Sequence, residues 1–217
     1  MPTDIHINND EHVFIAGMTG GGKSKLAEVL TRDMDSVIKI DTKQEYESNK
    51  MRGKEPWEGL TEGEDYEVCF SLEQVFNSES EKIIYQVPWH EQEPEIYDQL
   101  FEWCFKNGDI CVWVDELMTV CPNSQVMPRW LKAIYTAGRS RNVSVVGCSQ
   151  RPMGIPSNII ANSTHYFIFA LTQPQDRKRM VEVTGCLEFA EMPDKYWFWY
   201  YKIGMDIGEA FQAKLSL

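Results

Sequence analysis

The chain predicts an α/β domain: a central, mostly parallel sheet flanked by helices, with a β-hairpin at its C-terminal end. Three observations lead there. An apolar run at residues 12–16 passes through Gly17-Met18-Thr19-Gly20-Gly21-Gly22-Lys23-Ser24 into a segment, 25–30, whose apolar residues recur at helical spacing. Continuous apolar runs at 110–114 and 143–148 read as strands covered on both faces, as parallel sheets require. Amphipathic stretches separate these runs, so strand and helix alternate along the chain.

In order, the strand at 12–16 and the helix from about 25 are followed by a strand at 36–41 that ends on the carboxylate of Asp41. Residues 42–46 open a polar loop, and the charged, glycine-containing stretch 47–64 reads as a surface excursion. A short strand at 66–70, a helical stretch at 72–76 and a third central strand at 82–88, stopped by Pro88, come next. From 94 to 105, Ile96, Leu100, Trp103 and Cys104 mark one apolar helix face. The strand at 110–116 then ends in Asp115-Glu116. A helix at 127–137 carries Trp130, Leu131, Ile134 and Tyr135, and Gly138-Arg139-Ser140-Arg141 leads into the strand at 143–148, which ends at Ser149-Gln150. A loop or short helix at 155–162, a strand at 166–171 and a helix at 175–185 complete a core of about 12–185. The aromatic segment 196–201 and the glycines at 204 and 208 make the remaining 186–217 a terminal hairpin, packing against the core or a neighbouring subunit. A chain of 217 residues with no repeat or linker is read as one domain, 1–217.

Composition narrows the function. No apolar run approaches the ~20 residues of a membrane helix. The first ten residues lack the basic start and apolar centre of a signal peptide. Six cysteines without a C-x-x-C pair are read as reduced, buried thiols, which fits the cytoplasm. A formal net charge of −12 argues against a protein that coats nucleic acid, though not against one that touches it through a few basic side chains. His6, His12, His90 and His165 lack metal-ligand spacing.

The glycine stretch carries the chemistry. It fits G-x-x-x-x-G-K-[ST] between a strand and a helix, the arrangement that cradles phosphates. Glycines let successive backbone N–H groups converge on phosphate oxygens, and the helix N-terminus adds positive partial charge. The candidate ATP-binding residues are therefore Gly17, Met18, Thr19, Gly20, Gly21, Gly22, Lys23, Ser24 and Lys25. Lys23 would reach the β- and γ-phosphates, and Ser24 would join the shell of Mg²⁺. Asp115, at the end of a buried strand, is the second metal residue, and Glu116 is placed to orient or deprotonate an attacking water. Gln150, at the tip of the next strand, can report an intact γ-phosphate without adding charge. Arg139 and Arg141 precede that strand, where either could complete a neighbouring subunit's site in a ring, with Arg141 slightly favoured. Arg129, Lys132, Arg177, Lys178 and Arg179 are the basic candidates for touching nucleic acid, although each cluster first reads as a solvated helix face.

Taken in order, Ala16 to Ser24, Ile40-Asp41-Thr42-Lys43, Val112-Trp113-Val114-Asp115-Glu116 and Ser149-Gln150-Arg151-Pro152 resemble the motifs of the FtsK/HerA superfamily of DNA-pumping ATPases. The resemblance covers about 12–171 and implies a P-loop NTPase domain of the RecA/ASCE-like type. Cellular members carry further membrane, coupling or winged-helix domains. A near-minimal chain looks like the genome-packaging ATPases of viruses with internal membranes and double-jelly-roll capsids. That resemblance implies ATP-driven movement of double-stranded DNA into a preformed capsid by a homo-oligomeric ring, commonly a hexamer, in the host cytoplasm or at a packaging vertex. Capsid-vertex or membrane-associated virion proteins would be its further partners. Three other readings stay open: a phage assembly or secretion ATPase, a small P-loop kinase that does not act on DNA, and a scaffold that binds nucleotide without hydrolysing it.

Overall fold

The computed structural model describes residues 5–206 and 208–215. Strands β1 (Val13–Ala16), β2 (Val37–Asp41), β3 (Glu67–Cys69), β4 (Lys82–Gln86), β5 (Ile110–Val114), β6 (Val143–Ser149), β7 (His165–Ile168), β8 (Trp197–Lys202) and β9 (Phe211–Lys214) form one sheet in the order β3-β4-β2-β5-β6-β1-β7-β8-β9. Every pairing from β3 to β7 is parallel; β8 and β9 are the antiparallel hairpin that extends it. The helices are α1 (Lys23–Arg32), α2 (Glu45–Met51), α3 (Leu72–Asn77), α4 (Pro94–Asn107), α5 (Leu117–Val120), α6 (Arg129–Ala137), α7 (Ser157–Ala161) and α8 (Pro174–Thr184).

The parallel strands are apolar on both faces because each face has its own core. On β1, Phe14 and Ala16 join one cluster, with Leu100 of α4 and Leu131 of α6. Val13 and Ile15 join the other, with Leu26 of α1 and Trp113 of β5. All four β1 side chains are fully buried. The hairpin aromatics alternate as a half-covered strand does: Phe198 and Tyr200 are buried against Phe167, while Trp197 and Trp199 are only partly covered.

Three sequence expectations need correction. The stretch 47–64 is not a bare excursion: it contains most of α2, and Trp57 is fully buried, edge-on to Trp113 at 5.6 Å between ring centroids. A buried indole is worth about 3–5 kcal/mol on truncation, so one residue anchors a segment without periodicity. On α4 the buried positions are Tyr97, Leu100, Phe101 and Cys104; Ile96 and Trp103 are only partly covered, so the buried stripe is rotated from the predicted one. The strand at 82–86 lies next to the edge strand β3 rather than at the centre. All six cysteines are free and buried, as expected.

Candidate active site

The glycine loop begins where β1 ends. Its N-terminal part is fixed between two neighbouring strands: Gly17 N–H donates to Ser149 O at 3.1 Å and Met18 N–H to Ala170 O at 2.9 Å. Gly20 and Gly22 take positive φ values of 74° and 111°, which turn the chain into α1. No backbone carbonyl among the described residues accepts from the N–H groups of Thr19, Gly20 or Gly22. Those donors, with the first turn of α1, make an anion cradle. Lys23 is buried and donates from Nζ to Gly17 O at 2.8 Å and Met18 O at 3.1 Å, folding back over the loop. Burial pushes its ammonium below the usual lysine range.

The strand order then decides which side chains meet. β6 lies between β1 and β5, so the ends of all three strands present neighbouring residues at one edge. Ser24 Oγ donates to Asp115 Oδ1 at 2.8 Å across the start of α1 and the end of β5. Asp115 is 2 % exposed and Glu116 8 %. The Glu116 side chain faces the N–H of Met118 at 3.5 Å, at the start of the short α5. Thr19 Oγ1 donates to Gln150 Oε1 at 2.8 Å, which ties the tip of β6 to the phosphate loop. A hydroxyl and a buried carboxylate 2.8 Å apart are hard oxygen donors suited to Mg²⁺. Among the described residues no group of three or more His, Cys, Asp or Glu could hold a metal ion.

One residue was quoted in the sequence without a role. Lys43, just past β2, donates from Nζ to Asp115 Oδ2 at 2.8 Å and lies 4.0 Å from Glu116 Oε2. Burial works to lower this lysine, but the Asp115 carboxylate, its hydrogen bond and Glu116 together hold it above its usual range. Burial likewise works to raise Asp115, but Lys43, with Lys39 and the Ser24 hydrogen bond, outweighs it, so the carboxyl stays below its usual range. Lys43 is positioned by Asp41, whose two carboxylate oxygens accept the N–H groups of Glu45 at 3.0 Å and Tyr46 at 2.9 Å. The signal available in the sequence was a lysine two residues after a strand-terminal aspartate. Nothing local linked it to a carboxylate 72 residues later.

No family model matches this sequence, and no curated protein sequence matches it. Solved structures do match. The genome packaging NTPase B204 of Sulfolobus turreted icosahedral virus 2, in complex with AMPPCP, superposes with a TM-score of 0.75 at 16% identity, covering 97% of this chain and 100% of that one. VirB4 of Thermoanaerobacter pseudethanolicus gives 0.63 at 12% identity, over 98% and 93% of the two chains. The pCW3 conjugation coupling protein TcpA, with ATPγS, gives 0.61 at 16% identity, over 97% of this chain and 61% of that one. The fold is that of a P-loop NTPase.

In this P-loop NTPase fold, Lys23, Ser24, Asp115, Glu116, Gln150 and the loop glycines lie together at the C-terminal ends of β1, β5 and β6. Lys25 lies in the first turn of α1 with its side chain turned away from the loop: its ammonium pairs with Glu28 at 3.7 Å and with Glu58. Arg139 and Arg141 lie at the opposite edge, before β6, one strand length or roughly 20 Å from their own P-loop. Arg139 pairs with Asp10 at 3.0 Å, and Arg141 packs its guanidinium 5.0 Å over the Phe105 ring. Neither can complete the site of its own chain.

The basic clusters divide. Arg177 turns inward to the carbonyls of Leu171 and Thr172, and Arg179 binds Ser157 Oγ at 2.7 Å, while Lys178 pairs with Glu182 at 3.6 Å. On α6, Lys132 is exposed and Arg129 lies 5.6 Å over the Trp130 ring. Beside the P-loop, a cleft of about 520 Å³ is walled by Met18 to Gly21 on one side and Met192 to Trp197 on the other. A second cavity, of about 660 Å³, opens between α1 and α2 at Ser24 and is lined by Glu28 and Glu45, whose carboxyls burial holds above their usual range.

Proposed function

We propose that this protein is an ATP-hydrolysing motor that moves double-stranded DNA as a homo-oligomeric ring, commonly a hexamer, and packages a viral genome into a preformed capsid. The observation that carries the nucleotide half is the convergence of the P-loop, Asp115-Glu116 and Gln150 at the ends of β1, β5 and β6. The P-loop N–H groups and Lys23 bind the phosphates, while Ser24 and Asp115 hold Mg²⁺, which would neutralise phosphate charge. Glu116 orients or deprotonates the attacking water, and Gln150 senses the γ-phosphate through its tie to Thr19. The cleft flanked by Tyr196 and Trp197 offers apolar walls to a nucleoside. Arg139 or Arg141 acts in trans on the neighbouring subunit's phosphates, because each lies at the wrong edge for its own. DNA is gripped transiently by few residues per subunit; Lys132 and Arg129 of α6 and Lys178 of α8 are the outward-facing candidates. Support for the motor and packaging half is the full-length fold likeness to a genome packaging NTPase.

The test is steady-state ATP hydrolysis over a range of protein concentrations, with and without long double-stranded DNA. Turnover should rise steeply with protein concentration and again with DNA. Lys23→Ala should abolish nucleotide binding, and Glu116→Gln should keep binding but lose turnover. Turnover linear in concentration and indifferent to DNA would remove the ring and the DNA substrate. That outcome would favour the second reading, a secretion or assembly ATPase, which the fold likeness to the cytoplasmic domain of the Thermomonospora curvata Type VII secretion ATPase EccC supports, at a TM-score of 0.60 and 13% identity. Undiminished hydrolysis by Glu116→Gln would take Glu116 out of its role.

A further inference from the structure

Both carboxylate oxygens of Asp115 are engaged by side chains of the protein itself. Oδ1 accepts from Ser24 and Oδ2 from Lys43, each at 2.8 Å. The P-loop lysine does not share this duty, since Lys23 Nζ is bonded to carbonyls of its own loop. Lys43 is therefore the counter-ion of the carboxylate pair. It reaches them from a short, tethered turn. Gln92 Nε2 donates to Thr42 O at 2.9 Å, Gln44 Nε2 donates to Val87 O at 3.1 Å, and Asp41 receives the first N–H groups of α2.

We propose that Lys43 competes with a divalent cation for Asp115, so that metal binds this site only together with a nucleotide. The proposal rests on the reading of Ser24 and Asp115 as the protein's metal ligands. In the free protein a divalent ion would have to displace an ammonium from Oδ2 and turn the Ser24 hydroxyl from donor to ligand. It would gain only two protein oxygens in return. Magnesium ions give up water reluctantly, and one carboxylate with one hydroxyl does not compensate for that loss beside a fixed positive charge. Phosphate oxygens change the balance by adding both ligands and negative charge. The Lys43 side chain is 32% exposed on a flexible four-carbon stem, so it can leave Asp115 without disturbing the sheet. A purely structural ion pair would make a different demand: its loss would lower stability and leave metal affinity where it was.

The measurement is Mn²⁺ binding to the nucleotide-free protein, read from the loss of the free-ion electron paramagnetic resonance signal. Wild type should bind weakly. Lys43→Met and Lys43→Gln should each bind Mn²⁺ about tenfold more tightly, a change of about 1.4 kcal/mol. Lys43→Arg should restore weak binding, and adding Asp115→Asn to Lys43→Met should abolish the gain. Equal Mn²⁺ affinity in wild type and both neutral variants, each folded by circular dichroism, would overturn the proposal. So would a gain that survives Asp115→Asn. Because only metal is added, the outcome is independent of ATP turnover: a wild-type protein that fails to hydrolyse ATP would sink the motor and leave the Lys43 result standing.

Discussion

Replacing Asp41 with alanine should loosen the active site from behind, through the start of α2. Asp41 is 2 % exposed and accepts hydrogen bonds from Glu45 N at 3.0 Å and Tyr46 N at 2.9 Å. The N-cap of α2 is Gln44, at φ 55°, and its side chain makes no capping bond, so Asp41 supplies the acceptors that α2 otherwise lacks. A hydrogen bond to a charged group contributes about 1.5–3 kcal/mol. The Glu45 N–H lies close enough to solvent to recover part of its bond with water. A net loss of about 3 kcal/mol follows for the pair. For a domain of this size each kcal/mol moves Tm by about 2–4 °C, so a fall of about 6–12 °C is expected. Urea unfolding should show a lower midpoint with an unchanged slope. Asp41→Asn, which keeps one acceptor oxygen, should fall between alanine and wild type. The same variants should weaken the hold of Lys43 on Asp115 and so raise Mn²⁺ affinity in the nucleotide-free protein. An Asp41→Ala protein with wild-type midpoint and slope would refute the capping argument.

Other predictions follow from the same geometry. Gly22 sits at φ 111°, and a Cβ there would lie 2.8 Å from Leu215 Cδ2, so Gly22→Ala should cost about 1–2 kcal/mol and weaken ATP binding in a fluorescent-nucleotide titration. Acid should destabilise the fold through Glu11. Although burial works to raise it, the Asn8 N–H, His165 and Lys202 outweigh that and bring its pKa from 4.5 down to about 2. A depressed carboxyl stabilises the folded state above its unfolded value, and that stabilisation, about 3 kcal/mol, is lost as pH falls from 4.5 toward 2. His165, held below its usual range by burial, adds to the loss in acid, because the unfolded chain takes up its proton more readily. Glu11→Gln should flatten the midpoint-against-pH curve over this window, and an unchanged curve would remove Glu11 as its source.

Local patterns were legible because their physics is local. The strand-loop-helix of the phosphate cradle, the twin-faced apolar strands and the terminal hairpin are each written within a few residues, as periodicity and as glycine placement. Trp57 and the rotated face of α4 were not legible. Which aromatic enters a core depends on what the opposite element offers, and Trp57 is buried because Trp113 and Tyr66 lie there to receive it. The inward turn of Arg177 and Arg179, toward carbonyls and a hydroxyl on neighbouring segments, could not be read either.

By itself the sequence determined the P-loop, the carboxylate pair and the parallel sheet that carries them. Only the tertiary structure decided the order of its strands. Hydrogen bonding between strands does not record which partner lies alongside, so adjacency of β6 to both β1 and β5 is set by packing of the whole chain. That adjacency brings Gln150 to Thr19 and Ser24 to Asp115, and the pairing of β2 with β5 leaves Lys43 facing a carboxylate from another strand.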